Sequence, residues 1–317
     1  MKYNLLLLGG YGFIGTNILA YIDENLCEKY QVVLFDRFPC HRYGMKFQCV
    51  TKIYFGDFSD ETNIECIFKE NKIDFVIHLL SSTVPATSDN AQYDVETNLI
   101  TTLKLLSIMD KFRVRDIIYM SSGGAIYGDY LKKVHNEEDA VYPKSSYGVV
   151  KLAIEKYLLS YSELYGFNAL ILRLSNPFGK YHYNDKQGII NIAIRKAINN
   201  EPLQIWGTGD GIKDYIFIDD VCDIIFRLIS NGIKTNVLNI AAGSSHSVNE
   251  IVEIIKQQIP TFIWKHTNAS LIDVQSFELD VTKLRRQLGG YHYTPFEEGI
   301  RKTIEWELSK RNVQRII

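Results

Sequence analysis

The sequence lacks any long apolar run, since no segment approaches the roughly 18 apolar residues that a helix needs to cross a bilayer. It also lacks the features of a signal peptide. One lysine is followed by a short apolar segment that leads into a glycine turn, without a small-residue cleavage site. These absences predict a cytoplasmic protein that makes no membrane contact.

An excess of one sign of charge is also missing. The 317 residues include 35 Lys and Arg against 37 Asp and Glu, which gives a formal net charge of −2. This balance provides neither the basic field that nucleic acids attract nor an acidic tail. The hydrophobic content, 46%, is ordinary for a globular protein. We therefore expect a folded protein that binds a small molecule and no nucleic acid.

Cysteine is sparse and shows no pairing pattern. The sequence contains no CxxC pair and no spacing typical of metal ligands. Reduced, packed thiols are expected in a cytoplasmic protein, and no metal site is predicted. The five cysteines are Cys27, Cys40, Cys49, Cys66 and Cys222.

A glycine turn directly after an apolar run is the most informative feature that is present. Gly9, Gly12 and Gly15 follow the apolar residues 5–8, as expected where a strand turns tightly into a helix. Residues without a Cβ let the backbone turn sharply and approach a phosphate closely. The start of a helix also presents unpaired N–H groups and the positive end of its dipole. The spacing therefore predicts a site for a nucleotide pyrophosphate.

A second apolar run, residues 32–35, ends in Asp36, 21 residues beyond Gly15. A carboxylate at this place accepts hydrogen bonds from both ribose hydroxyls of a dinucleotide. A 2′-phosphate would meet this negative charge, so the sequence favours NAD over NADP. Arg37 leaves NADP open, because a neighbouring guanidinium can pair with such a phosphate.

Residues 1–175 alternate between short β-branched runs and amphipathic segments, which is typical of a parallel sheet covered by helices on both faces. The predicted fold class is α/β, a Rossmann-like doubly wound parallel sheet. Loops at the carboxyl ends of its strands are expected to meet at one crevice. Strands are predicted at 3–8, 31–36, 50–55, 74–79, 115–121 and 168–174, and helices at 13–24, 61–71, 91–111 and 146–165.

From residue 176 the alternation becomes irregular. We predict a smaller C-terminal α/β part, 176–317, that binds the substrate and follows the NAD-binding domain, 1–175, without a clear linker. Ser247 and Glu250 have the spacing of a capping box before a helix. Further helices are predicted at 188–200, 219–231, 248–259, 281–288 and from 295 onward, with a strand at 236–240.

Tyr147 and Lys151 lie four residues apart in a segment that is typical of the start of a helix. One helical turn places both side chains on the same face. A nearby ammonium stabilises a phenolate and lowers the pKa of the tyrosine, which can then take a proton from a substrate alcohol. The same spacing also occurs in surface pairs that have no function.

Together these segments resemble the extended short-chain dehydrogenase/reductase family, and within it the nucleotide-sugar epimerases and dehydratases. The resemblance covers nearly the whole chain. The matching motifs are Gly9-x-x-Gly12-x-x-Gly15, Gly56-Asp57, His78-Leu79, Ser121-Ser122 with Ile126-Tyr127-Gly128, Tyr147-x-x-x-Lys151, Arg173-Leu174-Ser175-Asn176-Pro177-Phe178-Gly179, Lys213-Asp214-Tyr215 and Asp219-Asp220-Val221.

The resemblance implies NAD as the cofactor and a nucleotide diphosphate sugar as the partner. It implies that Tyr147 is the catalytic base, with Lys151 and Ser122 as further catalytic residues. Asn98 is expected either to be a structural hydrogen-bonder or to lie in the active-site network. Trp206 fits either a contact with the nucleotide base or the core. The implied cofactor-binding residues are Gly9, Gly12, Phe13, Ile14, Asp36, Arg37, Asp57, Phe58, Leu79, Ser81, Asn98, Ser121, Tyr147, Lys151 and Pro177, and the implied substrate-binding residues are Thr83, Gly123, Asn176, Trp206 and Lys213.

The chain departs from the family at Gly123, where relatives carry a catalytic Ser or Thr. The missing hydroxyl can be replaced by Ser122, by a hydroxyl of the loop 81–83, or by a bound water. We favour Ser122. Its alternative role is only to satisfy backbone groups at the end of a strand.

The residues after Gly123 favour epimerisation. Sugar 4,6-dehydratases of the family carry Asp-Glu where this chain has Gly124-Ala125, and family decarboxylases tend to have Glu at position 125. Without these acids, elimination lacks its proton-transfer groups. We expect a redox-neutral 4-epimerase. An NAD(P)-dependent reductase of a keto-sugar nucleotide and a non-catalytic NAD-binding sensor are the alternatives. Family members often pair the helices matching 91–111 and 146–165 into a four-helix bundle, which implies a homodimer.

Overall fold

The apolar runs of the sequence become strands in the computed structural model, which describes residues 2–37, 45–83, 88–128, 133–268 and 276–314. The six strands predicted in residues 1–175 form within one residue of their expected limits. The described residues contain the strands β1 (Tyr3–Leu8), β2 (Tyr30–Asp36), β3 (Val50–Phe55), β4 (Phe75–His78), β5 (Asp116–Ser122), β6 (Val134–His135), β7 (Asn168–Leu174), β8 (Asn176–Phe178), β9 (Leu203–Trp206), β10 (Ile212–Phe217), β11 (Asn236–Ile240), β12 (Ser245–Ser247), β13 (Trp264–Thr267) and β14 (Ser276–Leu279).

Helices connect most of these strands. The predicted helix 91–111 forms, but it consists of two α-helical pieces, α3 and α4, joined by a π-helical segment (Val95–Ile100). The α-helices are α1 (Phe13–Asn25), α2 (Glu61–Glu70), α3 (Ala91–Asp94), α4 (Thr101–Lys111), α5 (Gly123–Ile126), α6 (Ser146–Tyr165), α7 (Ile189–Asn199), α8 (Ile218–Ser230), α9 (Val248–Gln258), α10 (Thr282–Gln287) and α11 (Phe296–Gln314).

The main sheet has seven strands in the order β11-β7-β5-β4-β1-β2-β3. The strands β1, β2, β3, β4, β5 and β7 pair in parallel, so the predicted Rossmann-like parallel sheet is confirmed. The chain winds outward from β1 in one direction and returns to β4 on its other side. Ligands of such folds bind outside the carboxyl ends of the strands at this reversal.

One face of this sheet is covered by α2, α4 and α6. Leu6 and Leu8 of β1 pack there with Ile67, Leu106 and Leu158 from the three helices. Alternation along a strand directs the neighbouring side chains to the other face, where Tyr21 of α1 stacks on Phe226 of α8. The helix α6 begins and ends at clear local signals. Ser145 accepts a hydrogen bond from the N–H of Gly148, and Gly166 ends the helix with φ of 68°.

The chain forms two compact units. The first comprises residues 1–128, 140–174 and 225–238, and the second comprises 129–139, 175–224 and 239–317. In the second unit β12, β10, β14 and β6 form a smaller sheet, with β8 also paired to β10. The predicted capping box at Ser247 and Glu250 is confirmed. A separate core gathers Phe178, Ile194 and Ile251.

The described helices include none that is both long and apolar enough to span a membrane. Cys27, Cys49, Cys66 and Cys222 are free thiols. Cys40 lies outside the described residues.

Candidate active site

The glycine turn after β1 has the geometry of a phosphate cradle. Gly9 has φ of +83°, and a Cβ at Gly15 would lie 2.4 Å from the carbonyl oxygen of Gly9. Gly12 is the N-cap of α1, whose first residues are Phe13 and Ile14. The first turn contains no acidic residue that would repel a phosphate. These residues fit a dinucleotide pyrophosphate, because the turn leaves room for it and the positive end of the helix dipole faces it.

Two of the predicted cofactor-binding carboxylates, Asp36 and Asp57, lie at the carboxyl ends of the neighbouring strands β2 and β3. Asp36 ends β2 and accepts hydrogen bonds from the backbone N–H groups of Tyr11, at 2.8 Å, and Arg37, at 2.7 Å. Hydrogen bonds from the N–H and hydroxyl of Ser59 lower the pKa of Asp57, and the charge of Arg37 lowers it further. The charge of Asp36 disfavours a 2′-phosphate at the predicted ribose position. The ring of Phe58 lies 6.3 Å from that of Phe35.

The loop after β4 is held by Asn98 of the π-helical segment. The Asn98 amide accepts from the N–H of Ser82 at 2.8 Å and donates to the Ser82 hydroxyl and to the Asp94 carbonyl. These bonds give Asn98 a structural role, and its place in the active-site network stays a prediction. Within the same loop, the N–H of Leu79 donates to the carbonyl of Leu8, and the Ser81 hydroxyl donates to the carbonyl of Thr83.

Tyr147 and Lys151 lie on the first turns of α6, with the Lys151 ammonium 5.7 Å from the centre of the Tyr147 ring. The Tyr147 hydroxyl forms a hydrogen bond with the side chain of Ser122, at the end of β5. The Lys151 ammonium donates to the carbonyl of Met120 at 2.8 Å and lies 4.7 Å from the ring of Tyr119. The structure therefore brings together the three predicted catalytic residues.

The protonation of this pair differs from the sequence expectation. Burial raises the pKa of Tyr147 to about 12, and only the hydrogen bond from Ser122 acts in the opposite direction. Burial also lowers the pKa of Lys151 to about 8, against the opposing charge of Glu155. The expectation that Lys151 lowers the pKa of Tyr147 was wrong for the protein alone, because the ammonium is directed at the Met120 carbonyl and the phenolate is desolvated.

A buried ion pair beneath these residues was missed by the sequence analysis. Glu155, one turn after Lys151, accepts from the Arg173 guanidinium at 2.7 Å and from the Ser121 hydroxyl at 2.6 Å. Arg173 also donates to the hydroxyl of Tyr127 at 2.9 Å. The available signal was a glutamate at helical spacing from Lys151 on the apolar face of α6. Ser121, a predicted cofactor contact, donates its hydroxyl hydrogen to Glu155.

The second unit contains the predicted substrate residues of the C-terminal part. Asn176 donates from its amide to the carbonyl of Asp214 at 2.8 Å, and Pro177 lies opposite Ile216 in the pairing of β8 with β10. Lys213, on β10, is half-buried. Trp206 is 64% exposed, which excludes the core alternative for this side chain.

Asp214 is a buried carboxylate next to Lys213. It accepts hydrogen bonds from the N–H groups of Ala242 and Gly243 and from the Ser175 hydroxyl. Burial raises its pKa to about 6 despite these bonds. Among the described residues, no group of three or more His, Cys, Asp or Glu is arranged to hold a metal ion.

Comparison with known proteins agrees with this geometry. Residues 5–241 match the sequence model of the NAD dependent epimerase/dehydratase family. The chain belongs to this family. Membership establishes NAD as the cofactor and places the protein among nucleotide-sugar epimerases and dehydratases.

Relatives named as epimerases and relatives named as dehydratases are both similar to this chain over nearly its whole length. A protein of Methanocaldococcus jannaschii, provisionally assigned as a UDP-glucose 4-epimerase, is 31% identical over 95% of this chain and 97% of its own length. The dTDP-glucose 4,6-dehydratase of Salmonella typhimurium is 26% identical over 96% of this chain and 92% of its own length. The solved UDP-glucose 4-epimerase of Thermotoga maritima, with UDP-glucose, has a TM-score of 0.86 at 28% identity, over 97% and 99% of the two chains.

Proposed function

We propose that this family member is an NAD-dependent 4-epimerase of a nucleotide diphosphate sugar. NAD, when bound, supplies the hydride acceptor and a positively charged ring. Tyr147 takes the proton of the C4 hydroxyl at its phenolic oxygen and later returns it to the C4 oxygen, once the 4-keto sugar has turned and would take the hydride back on its other face. The observation that carries the proposal is the placement of Tyr147 and Lys151 on the first turns of α6, with the Lys151 ammonium 5.7 Å from the centre of the Tyr147 ring.

Lys151 and Ser122 support Tyr147 in different ways in this proposal. Lys151, with a pKa of about 8, keeps its charge at pH 7 and contacts the nicotinamide ribose. Ser122 donates a hydrogen bond that lowers the pKa of the phenol. Ser122 thereby supplies the hydroxyl that Gly123 lacks.

The absence of acids after Gly123 favours epimerisation over dehydration. Removing water from a sugar requires groups that move protons at two further carbons. Gly124 and Ala125 carry no such group, and a Cβ at Gly124 would meet no described atom within 4 Å. The lack of these acids is the ground on which we favour an epimerase over a dehydratase.

The substrate assignment follows from the predicted contacts. In this proposal residues 1–175 bind NAD and residues 176–317 bind the nucleotide diphosphate. Asn176 and Lys213 contact the phosphates, while Trp206 packs against the base. The exposure of Trp206 supports this role, because an indole ring that is 64% exposed has its face available for stacking. Thr83 and Gly123 lie next to the sugar.

A homodimer and a cytoplasmic location are further parts of the proposal. The helix α6 packs against the π-helical segment and α4, and both parts expose apolar side chains. A second copy that pairs these helices would cover them. The exposed side chains are Tyr93, Val95, Ile100, Val149, Tyr157, Leu164 and Tyr165.

Light scattering tests the homodimer. At micromolar concentration the wild-type protein is expected to show twice the mass of one chain, and Leu164→Glu is expected to lower the measured mass. A monomeric wild-type protein would contradict this part.

Incubation with NAD and separate nucleotide sugars tests the reaction. UDP-glucose, UDP-N-acetylglucosamine and dTDP-glucose are incubated with the protein, and the products are examined by NMR together with absorbance at 340 nm. Inversion at C4 without lasting absorbance supports the proposal. A 4-keto-6-deoxy product would identify a dehydratase, stoichiometric NADH a dehydrogenase, and binding without product the sensor alternative.

A further inference from the structure

Asp94 is a fully buried carboxylate that none of the sequence motifs singles out. Its side chain is 0% exposed at the end of α3. One oxygen accepts a hydrogen bond from the Thr83 hydroxyl at 2.6 Å, and the other accepts from the Ser88 hydroxyl at 2.5 Å. The Ser146 hydroxyl also donates to this carboxylate. Three donors from different segments therefore converge on one side chain.

Asp94 is ionised at neutral pH although it is buried. Burial raises the pKa of this carboxyl, but the hydrogen bonds from Ser88, Thr83 and Ser146 outweigh burial and hold the pKa below its usual value. Among the described residues, no basic side chain pairs with it. A buried charge without a counter-ion is unfavourable unless hydrogen bonds compensate it. Three hydroxyl donors provide this compensation.

The hydroxyls lead from Asp94 to the first turn of α6. Ser88 donates to Asp94 and at the same time accepts from the backbone N–H of Tyr147 at 2.8 Å. Ser146 begins α6 and directly precedes Tyr147. Two of the three hydrogen bonds therefore act on the backbone that carries the phenol. The third fixes Thr83, a predicted substrate contact.

We propose that Asp94 is a positioning residue, whose carboxylate holds the start of α6, and with it Tyr147, in register with the segment that contains Thr83. The inference rests on the proposed role of Tyr147 as the base. A base must lie within hydrogen-bond reach of the proton that it takes, and a displacement of about 1 Å costs roughly 100-fold in rate.

An aspartate suits this position better than an uncharged isostere. A carboxylate offers only acceptors, so all three hydroxyls can donate to it. Asparagine replaces one oxygen by an NH2 group, which faces a hydroxyl hydrogen. The Ser88 oxygen already accepts from Tyr147, so its rearrangement would disturb the link to α6. Asp94→Asn therefore keeps the shape of the side chain but removes at least one of the hydrogen bonds that the hydroxyls donate to it.

The test measures kcat, KM, the Kd for NAD and Tm for Asp94→Asn in the full-length protein, with the nucleotide sugar that the wild type converts. The expected result is a fall in kcat of about 10- to 100-fold, with the Kd for NAD and Tm close to those of the control. Asp89→Asn is the matched control, since this exposed neighbour loses the same charge. A fall in Tm and NAD affinity that accounts for the lost activity would overturn the inference.

A double variant gives a readout that a general loss of structure would not reproduce. If Asp94 acts through Tyr147, adding Asp94→Asn to Tyr147→Phe lowers the remaining rate by less than about twofold. If the rate loss of the double variant equals the product of the losses of the two single variants, the inference is overturned. Should Asp94→Asn fail to fold, Ser88→Ala is measured in the same way, because it removes the hydroxyl that joins Asp94 to the Tyr147 N–H and keeps the bond between Thr83 and Asp94.

The outcomes separate this inference from the proposed function. A wild-type protein that converts no nucleotide sugar overturns both. Loss of turnover in Tyr147→Phe together with unchanged kcat in Asp94→Asn overturns the positioning role alone.

Discussion

Ser122 donates a hydrogen bond to the hydroxyl of Tyr147, one residue before the glycine that stands at the family's catalytic hydroxyl position. The bond joins the end of β5 to the first turn of α6. It acts against burial, which raises the pKa of this phenol to about 12 in spite of the bond. The loss of a hydroxyl at Gly123 is therefore compensated by its neighbour in the proposed mechanism.

Tyr147→Phe is expected to lower kcat by at least about 100-fold, because general base catalysis contributes roughly 100- to 10,000-fold. NAD binding, measured by calorimetry, should remain within about twofold, since the phenylalanine keeps the ring of Tyr147 and its packing. Tyr157→Phe, at an exposed position of the same helix, is the matched control. Retention of most of the activity by Tyr147→Phe would show that another group is the base.

Ser122→Ala is expected to lower kcat by about 10-fold, in line with the loss of one hydrogen bond to a charged group. The change should also move the acidic limb of the pH profile, on which the rate rises as Tyr147 ionises, to higher pH, because the removed bond lowers the pKa of Tyr147. Adding Gly123→Ser to Ser122→Ala should recover part of the loss. An unchanged rate in Ser122→Ala would instead direct attention to Ser82, Thr83 or a bound water.

Gly15→Ala is expected to weaken NAD binding by more than about 10-fold, since the glycine lets the helix approach the turn. A Cβ there would lie 2.4 Å from the Gly9 carbonyl oxygen and 2.6 Å from the Gly10 Cα, which are backbone atoms that cannot rotate away. Calorimetric titration with NAD measures the effect. Gly124→Ala is the control, because its added Cβ meets no described atom within 4 Å. Equal NAD affinity in the two variants would contradict the assigned cradle.

The sequence predicted local features well and long-range polar contacts poorly. The apolar runs gave the six strands of residues 1–175, because each run is itself the buried strand. The short strands β8 and β10 were missed, since their pairing depends on residues about 40 positions apart. Glu155 and Arg173 are separated by 18 residues, and Asp94 and Ser146 by 52, so only the fold shows that they meet.

The buried pair of Glu155 and Arg173 predicts a large loss of stability when one partner is removed. Glu155→Gln leaves the Arg173 guanidinium, which is 4% exposed, without its counter-ion. Breaking such a pair costs about 3–5 kcal/mol. Urea unfolding measures the free energy of unfolding. Lys111→Met removes an exposed ion pair with Glu65 and should leave the free energy of unfolding nearly unchanged. Equal changes in this free energy for the two substitutions would show that the buried pair stabilises the fold no more than the exposed one.

His78 predicts an acid-sensitive contribution to stability. Its Nε2 lies 3.0 Å from the Thr102 hydroxyl, and Thr102 donates its own hydrogen to the carbonyl of Asn98 at 2.6 Å. The Thr102 oxygen therefore accepts from His78, which fixes a neutral imidazole with its hydrogen on Nε2. Burial, together with the charge of Lys151, lowers the pKa of His78 to about 3.

The sign of the pH effect follows from proton uptake. Between about pH 3 and 6.5 the unfolded chain holds a proton on His78 that the folded protein lacks, so stability rises with pH across this window. Lowering the pH from 6.5 to 4.5 should cost the wild type up to about 2.7 kcal/mol through this group. His78→Gln keeps a donor near the position of Nε2 but does not titrate. Urea unfolding across this range should therefore show that the free energy of unfolding of His78→Gln depends less steeply on pH than that of the wild type, by about one proton. His292→Gln, at an exposed position, is the control and should keep the wild-type slope. Equal slopes for His78→Gln and the wild type would mean that His78 binds a proton in the folded state.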